Sequence, residues 1–494
     1  MKKVIIIGAG ISGLTAGVYA LQSGFDVTIY ESHTIPGGAS TSWRRKGYYF
    51  EGGIHWMTGT LPDTPTNKVW KNIGALSDDI PIHVRDPFLT YDFDSLTICL
   101  YRDIDKLHKH LLSIAPEDKK EIERLFRDVK KMSKISMPIM DIKGVKVREK
   151  SGVPLSSIIK MLPAFALIPF YSKQDSGEFS KRFRDPMLSQ FIKTIIGPEN
   201  NALGMVLTIA TLASGDGGYP EGGSLAMARR IADKFEALGG TINFGSPVSK
   251  VVTRDGKAVG VLQGENEIPA DAVIVTQDTL AAIDTLFETP INEPWAEKMR
   301  KETKPVLNTF VSIGVEEELS DLPESLYFNP KVPFYCGGQE QTIVNINNYA
   351  KFKDYAPDGC TAITSIIGGD TYEFWKQCKQ NGTYNEEKER LANALIEIIE
   401  NKWPRIKGKI AVWDVATPLT YERYLSSYKG SWMSVMGKGS KMESYPTKPK
   451  SINNLYFAGQ RLMVPGGLPV AAETGRKAVQ YLCRDTDTVF QGKM

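Results

Sequence analysis

The chain has 494 residues, 42% hydrophobic and 24% charged, with a formal net charge of +3. That length supports two or three domains rather than one core, and the near-neutral charge excludes the strong basic excess of a nucleic-acid binder. The five cysteines, Cys99, Cys336, Cys360, Cys378 and Cys483, are scattered without metal-ligand spacing, which predicts reduced thiols, no metal site and a cytoplasmic protein.

Lys2 and Lys3 precede Val4-Ile5-Ile6-Ile7. Four apolar residues are too few for a secretory core of about 7–15, and no run in the chain reaches the roughly 18–20 apolar residues of a membrane span. The unbroken β-branched run instead predicts a parallel strand buried on both faces. Gly8-Ala9-Gly10-Ile11-Ser12-Gly13 follows, then a helical pattern from Leu14 to about Ser23 and a second strand, Val27-Thr28-Ile29-Tyr30, ending at Glu31. This is a dinucleotide-binding βαβ unit with every part present. Gly8 permits the tight turn, Gly10 lets the backbone approach a pyrophosphate, and Gly13 lets the helix pack on the strand. The helix N-terminus turns free N–H groups toward phosphate. Glu31 accepts hydrogen bonds from ribose hydroxyls and repels a 2′-phosphate.

A glycine turn, Pro36-Gly37-Gly38-Ala39-Ser40, comes next. A hairpin-like stretch, Gly47 to Phe50, then leads to a second turn, Gly52-Gly53-Ile54-His55-Trp56. Residues 130–150 hold seven basic side chains against Asp141 and Glu149. The stretch from Val153 to Tyr171 is apolar, with Lys160 its sole charge and Pro163 and Pro169 breaking it. The prolines exclude a straight span. A basic stretch beside an apolar, aromatic one fits either an anionic membrane surface or a buried helix pair capping a substrate domain.

Gly217-Gly218-Tyr219-Pro220-Glu221-Gly222-Gly223-Ser224 precedes a helical run from Leu225 to Leu238. Short strands follow over 241–244, 247–252, 259–261 and 272–275. The helix from Glu386 to Trp403 gathers Leu391, Leu395, Ile396, Ile398 and Ile399 as a core face. Near the C-terminus, Asn454 to Gln460 reads as a buried strand ending in a glycine turn. Val464-Pro465-Gly466-Gly467-Leu468-Pro469-Val470 then opens a helix to about Leu482, with Pro469 in the first turn, where its missing N–H costs nothing. No second G-x-G-x-x-G follows a strand. A dedicated NAD(P)H domain is therefore not expected, and any reducing equivalents would come from a quinone, a carrier or transiently bound NAD(P)H.

Three blocks, Gly8 to Trp56, Tyr219 to Asp278 and Leu455 to Leu482, resemble the phytoene desaturase, carotenoid isomerase and retinol saturase group of FAD-dependent oxidoreductases. Ala416-Thr417-Pro418-Leu419-Thr420, with Tyr424 and Gly430-Ser431, also looks like that group. The match spans about half the chain and is weak between residues 60 and 215. Two departures matter. Carotenoid-desaturating members often carry Arg where this chain has Ala39, and monoamine-oxidase relatives carry Gly-Glu where it has Gly459-Gln460. The retinol saturase-like branch shares the Gly-Gln, which tilts the reading toward a saturase or isomerase.

The resemblance implies an α/β, two-dinucleotide-binding-domain flavoprotein. Its discontinuous Rossmann-type FAD domain would comprise 1–75, 215–290 and 445–494. A mixed-sheet substrate domain would comprise 76–125 and 291–444, and a helical, membrane-associating cap 126–214. It also implies an FAD site at Gly8, Gly10, Ile11, Ser12, Gly13, Glu31, Gly38, Ala39, Ser40, Gly53, Ile54, His55, Val248, Gly459, Leu468, Pro469 and Val470. In it Val248 runs past the adenine and the Leu468 helix faces the flavin. His55 and Tyr424 are the candidate proton-transfer residues. The activity implied is saturation, desaturation or isomerisation of C=C bonds in an apolar, polyene-like lipid taken up at the inner membrane surface. The rivals are a flavin amine oxidase on the same fold and a flavin-free binding module of the Rab escort type.

Overall fold

The computed structural model describes residues 1–135, 139–149, 155–440 and 443–492. Its central element is a five-stranded parallel sheet, in the order Leu455–Phe457, Ala272–Val275, Lys3–Ile7, Asp26–Tyr30, Thr241–Asn243. Side chains alternate across it as the pleat demands. Val4, Ile6 and Ile274 face the helices Ile11–Gln22 and Gly223–Ala237. Ile5, Ile7, Val273 and Val275 face Val251, Ala258 and Val261 of a three-stranded antiparallel layer. The chain leaves Lys3–Ile7 toward Asp26–Tyr30 and later returns on its other side as Ala272–Val275. Such a reversal opens a crevice at the carboxyl ends of the strands, where open α/β sheets bind ligands.

Two glycines fix how closely the helices approach. A Cβ on Gly13 would stand 1.9 Å from the Gly8 carbonyl oxygen, so only glycine lets the Ile11–Gln22 helix leave the strand this tightly. A Cβ on Gly475 would stand 2.5 Å from the Ser12 carbonyl oxygen, where the C-terminal helix, Leu468–Asp485, crosses the first one.

The second sheet has seven strands, in the order Ile410–Ala416, Asn308–Val315, Thr361–Gly368, Val344–Asn348, Ser325–Phe328, Leu89–Asp92, Thr97–Leu100. Its pairing is antiparallel except where Ser325–Phe328 meets Leu89–Asp92. One face, with Val311, Ile313 and Val315, packs on Trp375, Leu391, Leu395 and Ile399 of the helices Tyr372–Asn381 and Tyr384–Lys402. The other face carries Phe310 and turns toward the nucleotide sheet, with Gly314 against the Tyr48 ring of the Ser42–Arg45/Tyr48–Glu51 hairpin.

Three expected boundaries move. A break at 126 would cut the Lys119–Met132 helix, whose Ile122, Leu125, Phe126, Val129 and Met132 all join the helical core with Phe191, Leu203 and Val206. The helical region therefore begins at Ile104–Ile114. A break at 290 falls too early, because Ile291, Ala296 and Met299 are buried against Ile5 and Phe457 of the nucleotide sheet. Residues 139–149, assigned to the cap, lie along the C-terminal segment. Ile139 joins the core of the first sheet, Asp141 accepts hydrogen bonds from Arg476 and Gln480 at 2.6 Å each, and the Arg148 amide donates to the Phe490 carbonyl. The basic stretch is also partly spent on internal ion pairs, Lys130 with Asp105 at 2.8 Å and Lys146 with Asp487 at 2.7 Å. Among the described residues, no helix is long and apolar enough to cross a membrane.

Candidate active site

A cavity of about 280 Å³ lies at the carboxyl ends of the parallel strands, where the two sheets face one another. Gly8, Gly10, Ile11 and Ser12 line one side of it, with Glu31, Gly38, Ala39, Ser40, Gly53, Val248, Gly459 and Leu468 around the rest. Residues far apart in sequence thus share one wall, because their strands are neighbours in one sheet.

The first helix begins at Gly10 with no side chain capping its free amides. Such a terminus carries unsatisfied N–H groups and a partial positive charge, which suit an anion. The Gly37-Gly38 turn closes over it, with the Gly37 amide donating to the Ala9 carbonyl at 2.9 Å and Gly38 against Gly10. The Glu31 carboxylate is fixed by the amides of Ala9 at 2.6 Å and His33 at 2.7 Å, so it enters the cavity already oriented. The C-terminal helix likewise starts at Gly467 without a side-chain cap, with Leu468 and Ala471 on the cavity. Ser12 Oγ, Ser40 Oγ and Gln460 Oε1 line the cavity, buried without hydrogen-bond partners. Buried polar atoms are normally paired, so these three orphans fit a polar ligand in the cavity.

Some expected site residues lie behind this wall. Gly13 sets helix packing. Pro469 and Val470 form the first turn of the helix whose end meets the ligand. Ile54 is buried, and its amide donates to Ser224 Oγ at 2.7 Å. That bond explains the Tyr219 to Ser224 block. The Glu51 carboxylate accepts from the Tyr219 hydroxyl at 2.5 Å and from the Gly53 and Ser224 amides at 2.8 and 3.0 Å. A side chain on Gly223 would collide with Tyr219 and Glu51. Burial raises the pKa of Glu51, while the hydrogen bonds from Ser224, Tyr219 and Gly53 act against the rise.

His55 does not line the cofactor cavity. It lies one layer away, with its ring stacked on Phe310 at 6.3 Å between centroids, and Phe310 is on the cavity wall. Both His55 ring nitrogens are buried without partners. Burial, helped by the charge of Arg85, lowers its pKa to about 4, so His55 is a neutral imidazole at physiological pH. Tyr424 is 46% exposed and meets His33 edge-on at 5.0 Å, beside the Glu31 end of the cavity. That position is on the rim of the cavity that Phe310 and Tyr421 also line.

Sequence reasoning missed a buried ion pair under the cavity. Arg461, 1% exposed in its side chain, holds Asp278 at 2.6 Å. It also donates to Ser431 Oγ, Ser434 Oγ and the Met433 carbonyl. Asp278 caps the helix Thr279–Thr285, a signal readable from an Asp just after a buried strand. Nothing local announces Arg461. Phe310 and Tyr421, 5.5 Å apart between ring centroids, supply an aromatic wall.

Fold and cavity are those of a dinucleotide-binding protein, and the family match makes it an FAD-dependent oxidoreductase. The chain belongs to the flavin containing amine oxidoreductase family, whose model matches residues 11–483. It is similar to a prolycopene isomerase from an Oncidium hybrid cultivar, 25% identical with 97% of this chain and 84% of the relative covered. It is also similar to an all-trans-retinol 13,14-reductase from Danio rerio, at 22% identity over 94% of this chain and 83% of the relative. A 4,4'-diaponeurosporene oxygenase from Staphylococcus aureus is 24% identical, with 97% and 98% of the two chains covered. Among solved structures, a redesigned putrescine oxidase superposes with a TM-score of 0.63 at 17% identity, covering 98% of this chain and 99% of that one. That likeness speaks for the fold.

Proposed function

We propose that this enzyme saturates, desaturates or isomerises C=C bonds of an apolar, polyene-like substrate. The carrying observation is the near full-length likeness to relatives whose names are those of enzymes of prolycopene, retinol and diaponeurosporene. FAD supplies the hydride chemistry. The two uncapped helix starts would hold it, and Phe310 and Tyr421 wall the same cavity. His55, neutral and stacked on Phe310, can donate a hydrogen bond through its ring N–H without bringing a charge into the site. Against the amine-oxidase alternative, this chain has Gln460 where monoamine-oxidase relatives carry glutamate. The flavin-free alternative is disfavoured by the intact cavity with its unpartnered polar atoms.

The test incubates the FAD-loaded protein with carotenoid and retinoid polyenes and, in parallel, with primary amines. Isomerised, saturated or desaturated polyene by chromatography supports the reading. Peroxide release with amines and unchanged polyenes rejects it. A preceding anaerobic titration with NADPH and NADH separates a nicotinamide-driven saturase from a desaturase or isomerase served by another redox partner.

We also propose that the helix Leu155–Phe165 rests on an anionic membrane surface, a route by which a lipid could enter. Ile159, Leu162 and Phe165 are 57%, 55% and 40% exposed, while Met161 and Ala164 on the same helix are buried. Apolar side chains on one side of a helix that follows a basic stretch suit the interface. Co-flotation with phosphatidylglycerol vesicles, lost on Leu162→Asp, tests this; failure to float rejects it.

A further inference from the structure

A second cavity, of about 610 Å³, opens beside the cofactor cavity. Its volume is in the range of about 300–1,000 Å³ typical of small-molecule and cofactor sites. The two cavities have Glu31, Gly38, Ala39, Tyr421, Tyr424 and Leu425 as a common wall, so a ligand in one lies against a ligand in the other. Segments remote in sequence build it. Trp43 and Arg45 come from the Ser42–Arg45 strand, Lys379 from the helix Tyr372–Asn381, Tyr384 and Lys388 from the helix Tyr384–Lys402, and Tyr421 and Arg423 from the helix Pro418–Leu425.

The charges around this cavity do not balance. Four cations, Arg45, Lys379, Lys388 and Arg423, line it against two acids, Glu31 and Asp414. Both acids are engaged. Asp414 pairs with Arg45 at 3.2 Å and accepts from Trp43 Nε1 at 2.9 Å, and Glu31 accepts from the Ala9 and His33 amides. Among the described residues, Lys379, Lys388 and Arg423 form no ion pair. Lys388 and Arg423 lie over the rings of Tyr384 and Tyr424, 5.5 and 4.5 Å from the centroids.

The Tyr421 hydroxyl, on the common wall, also lacks a partner. Tyr421 is 8% exposed, and its hydroxyl is buried without a hydrogen bond. Burial raises its pKa, so it stays a neutral donor. A buried hydroxyl is normally paired, and a ligand with an acceptor would pair it. Trp43 and Tyr384 add flat aromatic surface on which a planar ring can stack. A hydrocarbon chain meets neither the cations nor the hydroxyl. Phosphate groups meet the first, and a planar ring bearing a carbonyl meets the second.

We propose that this cavity receives a phosphate-bearing nicotinamide nucleotide that reduces the flavin, with its phosphates at Lys379, Lys388 and Arg423 and its ring at Tyr421. The dihydronicotinamide ring loses a hydride and becomes NADP⁺; FAD takes up that hydride and one solvent proton and becomes FADH₂. The inference rests on the FAD-dependent oxidoreductase reading and names its electron donor. The excess of positive charge favours NADPH over NADH, because the 2′-phosphate adds about −1.5 to −2 charges.

The experiment titrates the FAD-loaded protein with NADP⁺ and with NAD⁺, following tryptophan fluorescence, and then follows anaerobic bleaching of the flavin band by NADPH and by NADH. Exposed ion pairs each contribute a few-fold at most, so NADP⁺ is expected to bind about tenfold more tightly than NAD⁺, and more weakly as salt is raised. The triple charge reversal Lys379→Glu, Lys388→Glu, Arg423→Glu should weaken NADP⁺ and slow bleaching by NADPH by at least about tenfold, with FAD content and reduction by dithionite unchanged. Tyr421→Phe should weaken both nucleotides alike. Equal binding of the two nucleotides by the wild type, or binding of neither, overturns the inference without any variant. So does NADP⁺ binding that survives the charge reversal, or NADP⁺ binding without bleaching by NADPH. Bleaching that depends on the three cations while every polyene is recovered unaltered would leave the nucleotide site standing and reject the polyene reading. Polyene turnover without such bleaching would do the reverse.

Discussion

Gly475 and Ser12 lie so close that a Cβ on the glycine would stand 2.5 Å from the serine carbonyl oxygen. This contact locks the Ile11–Gln22 helix to the Leu468–Asp485 helix across almost the whole chain. Gly475→Val should push the two apart. The expected result is purified protein with at most a tenth of the wild-type flavin content and a lower melting temperature, read from the visible spectrum and a thermal melt. Replacement of Gly382, at a helix end where a Cβ meets nothing within 4 Å, should leave flavin content intact.

The Arg461–Asp278 pair makes a second prediction. Removing one partner of a buried ion pair leaves an uncompensated charge, at a cost of about 3–5 kcal/mol. Asp278→Ala should lower stability by that order in denaturant titration, because Arg461 is left with only neutral acceptors at Ser431, Ser434 and Met433. Asp278→Asn, which keeps a hydrogen-bond acceptor, should lose less. Equal stability of Asp278→Ala and wild type would show that the pair adds nothing net.

This pair also marks where the sequence stops being readable. Gly8 to Glu31 and Val464 to Val470 could be interpreted because each motif completes its own geometry within one strand-turn-helix unit. Arg461 meets Asp278 across 183 positions, and such a pairing has no local pattern. The boundaries at 126 and 290 went wrong for a related reason. Helices Lys119–Met132 and Pro294–Glu302 are amphipathic in any setting, and only the fold decides which core receives their apolar side. The resemblance implies that His55 touches the cofactor, because it puts the Gly52 to Trp56 turn beside the flavin. The turn carries its ring past the cavity wall and behind Phe310.

His55 gives a pH-dependent prediction. Its pKa falls from the ordinary 6.5 to about 4 on burial. The unfolded chain therefore binds a proton at this site that the folded chain refuses between those values. Stability should be fully retained above about pH 6.5 and lost as pH falls toward 4, by about 3 kcal/mol at the limit. Glu51, whose pKa burial raises, acts in the opposite sense, so the His55 share is read as a difference. His55→Asn should flatten the acid limb of a melting-temperature profile between pH 7 and 4.5. An unchanged limb would mean that His55 takes up its proton readily in the folded protein.

The Glu51 network predicts a cofactor defect from a residue outside the cavity. Glu51→Ala strips acceptors from Tyr219, Gly53 and Ser224, and each buried group left unpaired costs about 1–3 kcal/mol. The Gly52-Gly53 turn should loosen, with weaker FAD retention on dialysis. Tyr219→Phe, which removes one donor, should show a smaller loss of the same kind.

The most direct test of the account is a single anaerobic experiment on the purified, FAD-loaded protein. The flavin band is followed while dithionite, then NADPH or NADH, and finally a carotenoid or retinoid polyene is added, with the polyene recovered for chromatography. The account predicts a bound-flavin spectrum, bleaching by reductant, and a polyene changed in its number or geometry of C=C bonds. A protein that takes up no FAD, or one that holds it while every polyene is recovered unaltered and amines are oxidised instead, would contradict it.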